Sequence, residues 1–96
     1  MPNSLPRQRF SAWAIAGLPA ALGVYLLWQG EEVVYIGRAM EGLRRRLMEH
    51  YTRHAKPWDA THFAWEPCAR PAEREAELLR DARVAFGRLP RYNASA

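Results

Sequence analysis

The chain has one cysteine, Cys68, among its 96 residues. A single thiol cannot form an internal disulfide, and it cannot supply a cysteine zinc cluster. The sequence therefore argues against a disulfide-stabilised fold, and a reducing compartment such as the cytoplasm suits the protein best. The chain also lacks internal repeats and low-complexity segments, so its length favours a single globular domain.

Charge is absent from the longest apolar stretch, residues 10–28 (FSAWAIAGLPAALGVYLLW), which follows two nearby arginines. Such a run favours a signal peptide or a membrane anchor. However, Gly17, Pro19 and Gly23 interrupt it, and its last five residues are needed as a strand. We therefore predict no membrane association, and a membrane-anchored or secreted protein is the less favoured alternative.

Basic residues outnumber acidic ones by 14 to 10, so the formal net charge is +4. The isoelectric point calculated from the sequence is about 9.8. A basic surface favours an anionic partner such as nucleic acid, because contacts to phosphates release bound counterions. This balance concerns association and does not indicate a fold.

Hydrophobic periodicity predicts the element order β-β-α-β-α. The predicted segments are strands over 24–28 and 33–36, a helix over 40–54, a strand over 60–65 and a helix over 71–86. The turn Gln29-Gly30-Glu31 joins the first two strands into a hairpin, and Lys56-Pro57 ends the first helix. We predict an α+β fold in which helices flank a small, three-stranded, mostly antiparallel sheet. Residues 1–17 are predicted to form an N-terminal extension, and residues 18–96 a single domain.

The first predicted helix places its charged residues on different faces. Its apolar stripe is formed by Leu43, Leu47 and Tyr51. At about 100° per residue, Arg46 and His50 lie together beside this stripe. Arg45 points away from the stripe, and Arg44 borders its other edge. Arg46 and His50 are therefore predicted to share one cleft.

The second predicted helix carries one carboxylate on its apolar side. The apolar stripe of this helix is formed by Leu78, Leu79, Ala82 and Phe86. Glu75 falls inside the stripe, whereas Glu73 and Glu77 fall on the opposite face. A carboxylate on a buried side needs a partner, because burying a bare charge is costly. A salt bridge to an arginine such as Arg46 and a metal ion both satisfy this need.

Five polar side chains are thereby predicted on a common side of the domain: Tyr25, Tyr35, Arg46, His50 and Glu75. Phosphodiester hydrolysis needs such a set. A carboxylate holds a divalent cation, an arginine binds the phosphate, and a base accepts a proton from water. A tyrosine can act as that base only near positive charge, because its ordinary pKa is about 10. Taken alone, the two tyrosines are also typical strand aromatics.

The motifs and their order resemble those of the GIY-YIG endonucleases over residues 18–93. The matching segments are Gly23-Val24-Tyr25, Tyr35-Ile36-Gly37, Arg46-Leu47-Met48-Glu49-His50, Glu73-Arg74-Glu75 and Pro90-Arg91-Tyr92-Asn93. Leu18-Pro19 ahead of the first triplet is similar to the N-terminal nuclease domain of the bacterial excision-repair incision subunit. Each triplet alone is a weak signal, but five segments in the family's order are a strong one.

The resemblance implies the GIY-YIG fold and a metal-dependent DNA endonuclease connected with DNA repair. It implies that Tyr25 or Tyr35, with Tyr25 preferred, acts as the general base or orients the water, and that Arg46 stabilises the phosphate. Glu75 is implied to bind one Mg²⁺ or Mn²⁺ ion. His50 and Asn93 are implied to assist through hydrogen bonds.

The resemblance also implies a nucleic-acid surface made of Arg38, Arg44, Arg45 and Asn93. Arg38 follows the second triplet, where related enzymes often have lysine, and is implied to hold a tyrosine hydroxyl in a low-pKa state. The implied partner is DNA, branched or damaged, with RNA also open. A chain this small has little surface for reading bases, so sequence specificity would need a homodimer or a partner protein. The alternative function is a nucleic-acid-binding module with weak or no nuclease activity.

Overall fold

The computed structural model describes residues 5–53 and 59–94. Within them lie the strands β1 (Gln8–Arg9), β2 (Gly23–Gln29), β3 (Glu32–Ala39) and β4 (His62–Pro67) and the helices α1 (Ala12–Ala16), α2 (Leu43–Arg53), α3 (Pro71–Phe86) and α4 (Arg91–Ala94). The predicted hairpin is present, and its turn residue Gly30 has a φ of 62°, a value that favours glycine. The predicted helix end at Lys56-Pro57 lies outside the described residues.

The strands form one antiparallel sheet in the order β1-β4-β2-β3. The predicted α+β class with an antiparallel sheet is confirmed, but the prediction of three strands was wrong, because the sheet has four. The additional strand is β1, in which Gln8 pairs with Phe63 and Arg9 with His62. Both β1 side chains are exposed and polar, so the strand leaves no alternating pattern in the sequence.

Helices cover both faces of the sheet, so the central strand β2 is buried on both sides. Tyr25 and Leu27 face the core that contains residues of α1 and α2. Val24 and Leu26 face the other core, which contains Leu78 of α3. A strand covered on both faces reads as a continuous apolar run, which is how GVYLLW appears in the sequence.

The apolar run of residues 10–28 is divided among α1, a loop and β2. Ser11 caps α1 by accepting a hydrogen bond from the Ala14 backbone amide at 3.2 Å, and Ile15 of this helix is fully buried. Residues 8–17, assigned from the sequence to an N-terminal extension, thus supply a strand, a helix and a core side chain. None of the helices in the described residues is long and apolar enough to cross a membrane.

Helix α3 begins and ends where its sequence signals predict. Pro71 occupies its first turn, and Gly87 ends it in the left-handed region at φ 77°, donating to the Arg83 carbonyl. Of the predicted apolar stripe, Leu78 and Ala82 are buried. Phe86, at the end of the helix, is 50% exposed and does not belong to the core.

Candidate active site

An open cavity of about 490 Å³ lies beside the edge strand β3. Its walls come from β3, from the loop before α2, and from α2 and α3. The lining residues are Tyr35, Arg38, Met40, Glu41, Arg45, Arg46, Glu49 and Glu75. Although α2 and α3 cover opposite faces of the sheet, both contribute side chains to this cavity at the edge of the sheet. The structure thus brings together five of the residues predicted from the sequence.

The two motif tyrosines pack against each other over a glycine. Their ring centroids are 6.2 Å apart, and Tyr25 lies directly opposite Gly37 in the β2–β3 pair. A Cβ atom on Gly37 would lie 2.5 Å from the Tyr25 hydroxyl oxygen and 2.7 Å from Cε2 of Tyr35. Any side chain at position 37 would push the rings apart, so the glycine of the second triplet sets the spacing of the tyrosines.

Tyr25 is fully buried, and its hydroxyl lies 2.8 Å from Nε2 of His50. The guanidinium of Arg46 is close enough to favour the ionised form of Tyr25. Burial raises the pKa of Tyr25 above its ordinary value and Tyr35 adds to this, whereas Arg46 opposes the shift. Tyr25 therefore keeps its proton at neutral pH.

His50 lies under the tyrosines and is nearly buried. Burial, followed by the nearby charge of Arg46, lowers the pKa of His50 to about 4, although Glu49 acts in the opposite direction. The imidazole is therefore neutral at pH 7. In the tautomer that carries its proton on Nδ1, Nε2 accepts a hydrogen bond from the Tyr25 hydroxyl.

We expect this buried histidine to make the protein less stable in acid. The unfolded chain binds a proton on His50 below pH 6.5, whereas the folded chain binds it only below about pH 4. Between these values the unfolded state holds more protons, so the free energy of unfolding falls as the pH falls, by at most about 3 kcal/mol. Urea denaturation of the parent and of His50→Gln at about pH 7 and about pH 4.5 measures the effect. The variant should lose less stability than the parent, and equal losses would contradict the prediction.

Three consecutive arginines of α2 have different environments. Arg46 lines the cavity and donates from Nη1 to Oε1 of Glu49 at 3.1 Å. Burial opposes its charged form, but Tyr25, Glu49 and Tyr35 outweigh this and raise the pKa of Arg46. Arg45 also lines the cavity, but its side chain is 68% exposed. Arg44 donates from Nε to the Leu18 carbonyl at 3.0 Å, which ties α2 to the segment after α1.

Glu75 of α3 forms a salt bridge with an arginine other than the one considered from the sequence. Nη1 of Arg38 donates to Oε1 of Glu75 at 3.1 Å, and the carboxylate side chain is only 19% exposed. From the sequence, Arg46 was a candidate salt-bridge partner of Glu75, but Arg46 forms its salt bridge with Glu49 instead. Glu75 therefore reaches the cavity already paired with a cation.

A metal ion in this cavity would depend on fewer than three protein ligands. Among residues 5–53 and 59–94, no group of three or more histidine, cysteine or acidic side chains could hold a metal ion. Mg²⁺ keeps several waters and is commonly held by one or two carboxylates together with substrate phosphates. The Glu75 carboxylate in an open cavity fits such an ion. It does not fit a closed zinc site, which needs four protein ligands.

Asn93 acts on the backbone of the second triplet. Its side-chain amide accepts a hydrogen bond from the Ile36 amide and donates one to the Ile36 carbonyl, both at 2.9 Å. These bonds satisfy the backbone amide and carbonyl of Ile36 on the outer edge of β3, and they hold α4 against this strand. Asn93, Arg44 and the buried Tyr25 and His50 do not line the cavity. A direct contact of Asn93 with nucleic acid stays a prediction.

Glu41 and Glu49 are cavity residues that were not singled out from the sequence. Glu41 accepts a salt bridge from Arg45 at 3.1 Å, and Glu49 lies between Arg45 and Arg46. Their three- and four-residue spacings from these arginines are the signal that could have found them. The cavity lining thus holds three arginines and three glutamates, each in at least one salt bridge.

Comparison with known proteins gives one match, and it is structural. No protein-family model matches the chain, and no curated protein matches it. The fold is similar to that of the GIY-YIG N-terminal endonuclease domain of UvrC from Thermotoga maritima, solved as a tyrosine-to-phenylalanine point mutant bound to its catalytic divalent cation. The match has a TM-score of 0.56 and 18% sequence identity, and it covers 83% of this chain and 90% of that chain. The chain therefore has the GIY-YIG fold, as its motifs predicted.

Proposed function

We propose that this protein is a metal-dependent DNA endonuclease that hydrolyses phosphodiester bonds. The observation that carries the proposal is that Tyr35, Arg46 and Glu75, from three different elements, line one open cavity. A tyrosine, an arginine and a carboxylate in that arrangement supply the three functions that the hydrolysis requires. The likeness to a nuclease domain with a catalytic divalent cation supports this reading.

In this proposal Glu75 holds one Mg²⁺ or Mn²⁺ ion. When bound, the cation stabilises the negative charge that develops on the leaving oxygen. Arg46 presents its guanidinium to a phosphate oxygen, and Glu49 keeps that guanidinium in place before substrate arrives. Glu75 and Arg46 both line the same cavity, so a single phosphodiester can contact the two functions at once.

The two tyrosines differ in their access to the cavity. Tyr35 lines the cavity, whereas Tyr25 is fully buried and keeps its proton. We therefore propose that Tyr35 meets the attacking water, orients it and accepts its proton as the general base, in place of the preference for Tyr25 drawn from the motifs. Tyr25, bonded to neutral His50, packs against Tyr35 and positions its ring from behind. We place no covalent tyrosyl intermediate on this path.

The substrate in this proposal is DNA, bound through exposed arginines around the cavity. Arg38 and Arg45 line its rim, and the chain as a whole carries a net charge of +4. Cleavage in this proposal is structure-directed, for example at branched or damaged DNA, or weakly specific, and RNA is an alternative substrate. A homodimer or a partner protein would supply any sequence specificity, because the chain is small.

Plasmid cleavage tests the proposal. Purified full-length protein should convert supercoiled plasmid to nicked or linear forms with Mg²⁺ or Mn²⁺, and EDTA should stop the reaction. Binding to DNA should weaken as salt concentration rises, because phosphate contacts release counterions. The protein could instead bind DNA in a salt-sensitive way without cleaving any of a panel of linear and branched substrates with either metal. That result would reject the nuclease and favour a nucleic-acid-binding module. Failure to bind any nucleic acid would reject both functions.

A further inference from the structure

The ion pair between Arg38 and Glu75 joins residues 37 positions apart in the sequence and closes one wall of the cavity. It is a tertiary contact, since Arg38 lies on β3 and Glu75 on α3. The carboxylate is four-fifths covered, whereas about half of the Arg38 side chain is exposed. The Arg38 side chain can therefore rotate into solvent or toward a ligand, whereas the Glu75 carboxylate stays at the cavity wall.

We propose that Arg38 is a stand-in cation: it occupies Glu75 while the metal is absent and moves to a substrate phosphate when the metal binds. This inference rests on the proposed function, because it concerns the carboxylate assigned there to the metal. A guanidinium 3.1 Å from the carboxylate oxygen and a divalent cation on the same carboxylate would repel each other strongly. Metal binding to Glu75 therefore requires Arg38 to move.

The movement of Arg38 links the metal to the substrate. A phosphate in the cavity offers the guanidinium a new anionic partner, and this makes its departure from Glu75 less costly. Metal and phosphate should then bind more tightly together than separately, and the coupling must be reciprocal. Arg38 is thus a positioning residue that keeps the metal affinity low until a phosphodiester is present.

A neighbouring arginine provides a matched control. Arg45 lines the same cavity and is exposed, but it pairs with Glu41 and Glu49 instead of Glu75. Arg38→Gln and Arg45→Gln therefore remove the same charge from the same cavity. Only the first removes the partner of the proposed metal ligand.

Mn²⁺ binding to the DNA-free, full-length protein, followed by electron paramagnetic resonance, tests the inference without requiring cleavage. Arg38→Gln should bind Mn²⁺ about threefold to tenfold more tightly than the parent, since a partly exposed unit charge is removed beside the ligand. Arg45→Gln should change the affinity by less than half as much, and Arg38→Lys should stay close to the parent. The gain should vanish when Glu75→Gln is added to Arg38→Gln. Equal effects of the two arginine variants, or no measurable Mn²⁺ binding by Arg38→Gln, would overturn the proposal.

A second measurement tests the coupling. A short phosphorothioate DNA duplex, which resists cleavage, should tighten Mn²⁺ binding to the parent by a larger factor than to Arg38→Gln, because only the parent gains from moving the arginine. An equal factor in both proteins would overturn the exchange. If the Mn²⁺ pattern holds but no nucleic acid is cut, the proposed function fails while the stand-in role of Arg38 is retained.

Discussion

Replacing Glu75 with glutamine should lower the rate of DNA cleavage by about 10³-fold, because a metal held at this site supplies several kcal/mol of transition-state stabilisation. Glutamine keeps the shape of the side chain and can still accept a hydrogen bond from Arg38. The lost ion pair is partly exposed, so the free energy of unfolding should fall by no more than about 1 kcal/mol. Single-turnover cleavage of plasmid DNA and urea denaturation measure the two effects separately.

The matched control for this change lies on the same helix. Glu73 is exposed, pairs with Arg70 at 3.3 Å and does not line the cavity. Glu73→Gln makes the same chemical change two residues away and should keep cleavage within about twofold of the parent, since an exposed pair contributes little. Cleavage by Glu75→Gln at the parental rate would show that Glu75 does not hold the metal. An equal loss in Glu73→Gln would indicate a general effect of helix charge.

Replacing Arg46 with alanine should lower the cleavage rate by about 10² to 10³-fold, the usual cost of removing one donor to the transition-state charge. The guanidinium lines the cavity beside Glu49 and lies close enough to Tyr25 and Tyr35 for their charges to interact, so its loss removes a cationic donor from the wall that carries Tyr35. Arg46→Lys should recover only part of the rate, because an ammonium lacks the planar fork of the guanidinium. Single-turnover rates at saturating protein separate this loss from weaker binding of DNA.

Arg45→Ala is the control, because it tests which arginine of the run RRR acts at the phosphate. Its side chain is more exposed than that of Arg46, and its partners are Glu41 and Glu49. The variant should bind DNA a few-fold more weakly and reduce the slope of log affinity against log salt by about one, with a smaller effect on the single-turnover rate. If Arg45→Ala loses as much of the single-turnover rate as Arg46→Ala, the assignment of the catalytic arginine is wrong.

The sequence determined the elements whose signals are local. These signals depend on residues within one or two turns of each other. They are the turn at Gly30, the apolar stripe of α2 with its four-residue spacing, and the boundaries of α3 at Pro71 and Gly87. The same periodicity separated Glu75 from Glu73 and Glu77, because residues two apart on a helix point in different directions. The motifs likewise predicted the GIY-YIG fold, since each lies within a single element or hairpin.

Only the tertiary structure decided how the charges of the site are paired. The salt bridge from Arg38 to Glu75 spans β3 and α3, and no helical period relates its two residues. The burial of Tyr25 depends on β4 and α2 covering β2, and from this burial follow its raised pKa and its bond to His50. Strand β1 exists only because β4 presents an edge for Gln8 and Arg9 to pair with. Such contacts are fixed by packing between distant segments, and local periodicity therefore carries no trace of them.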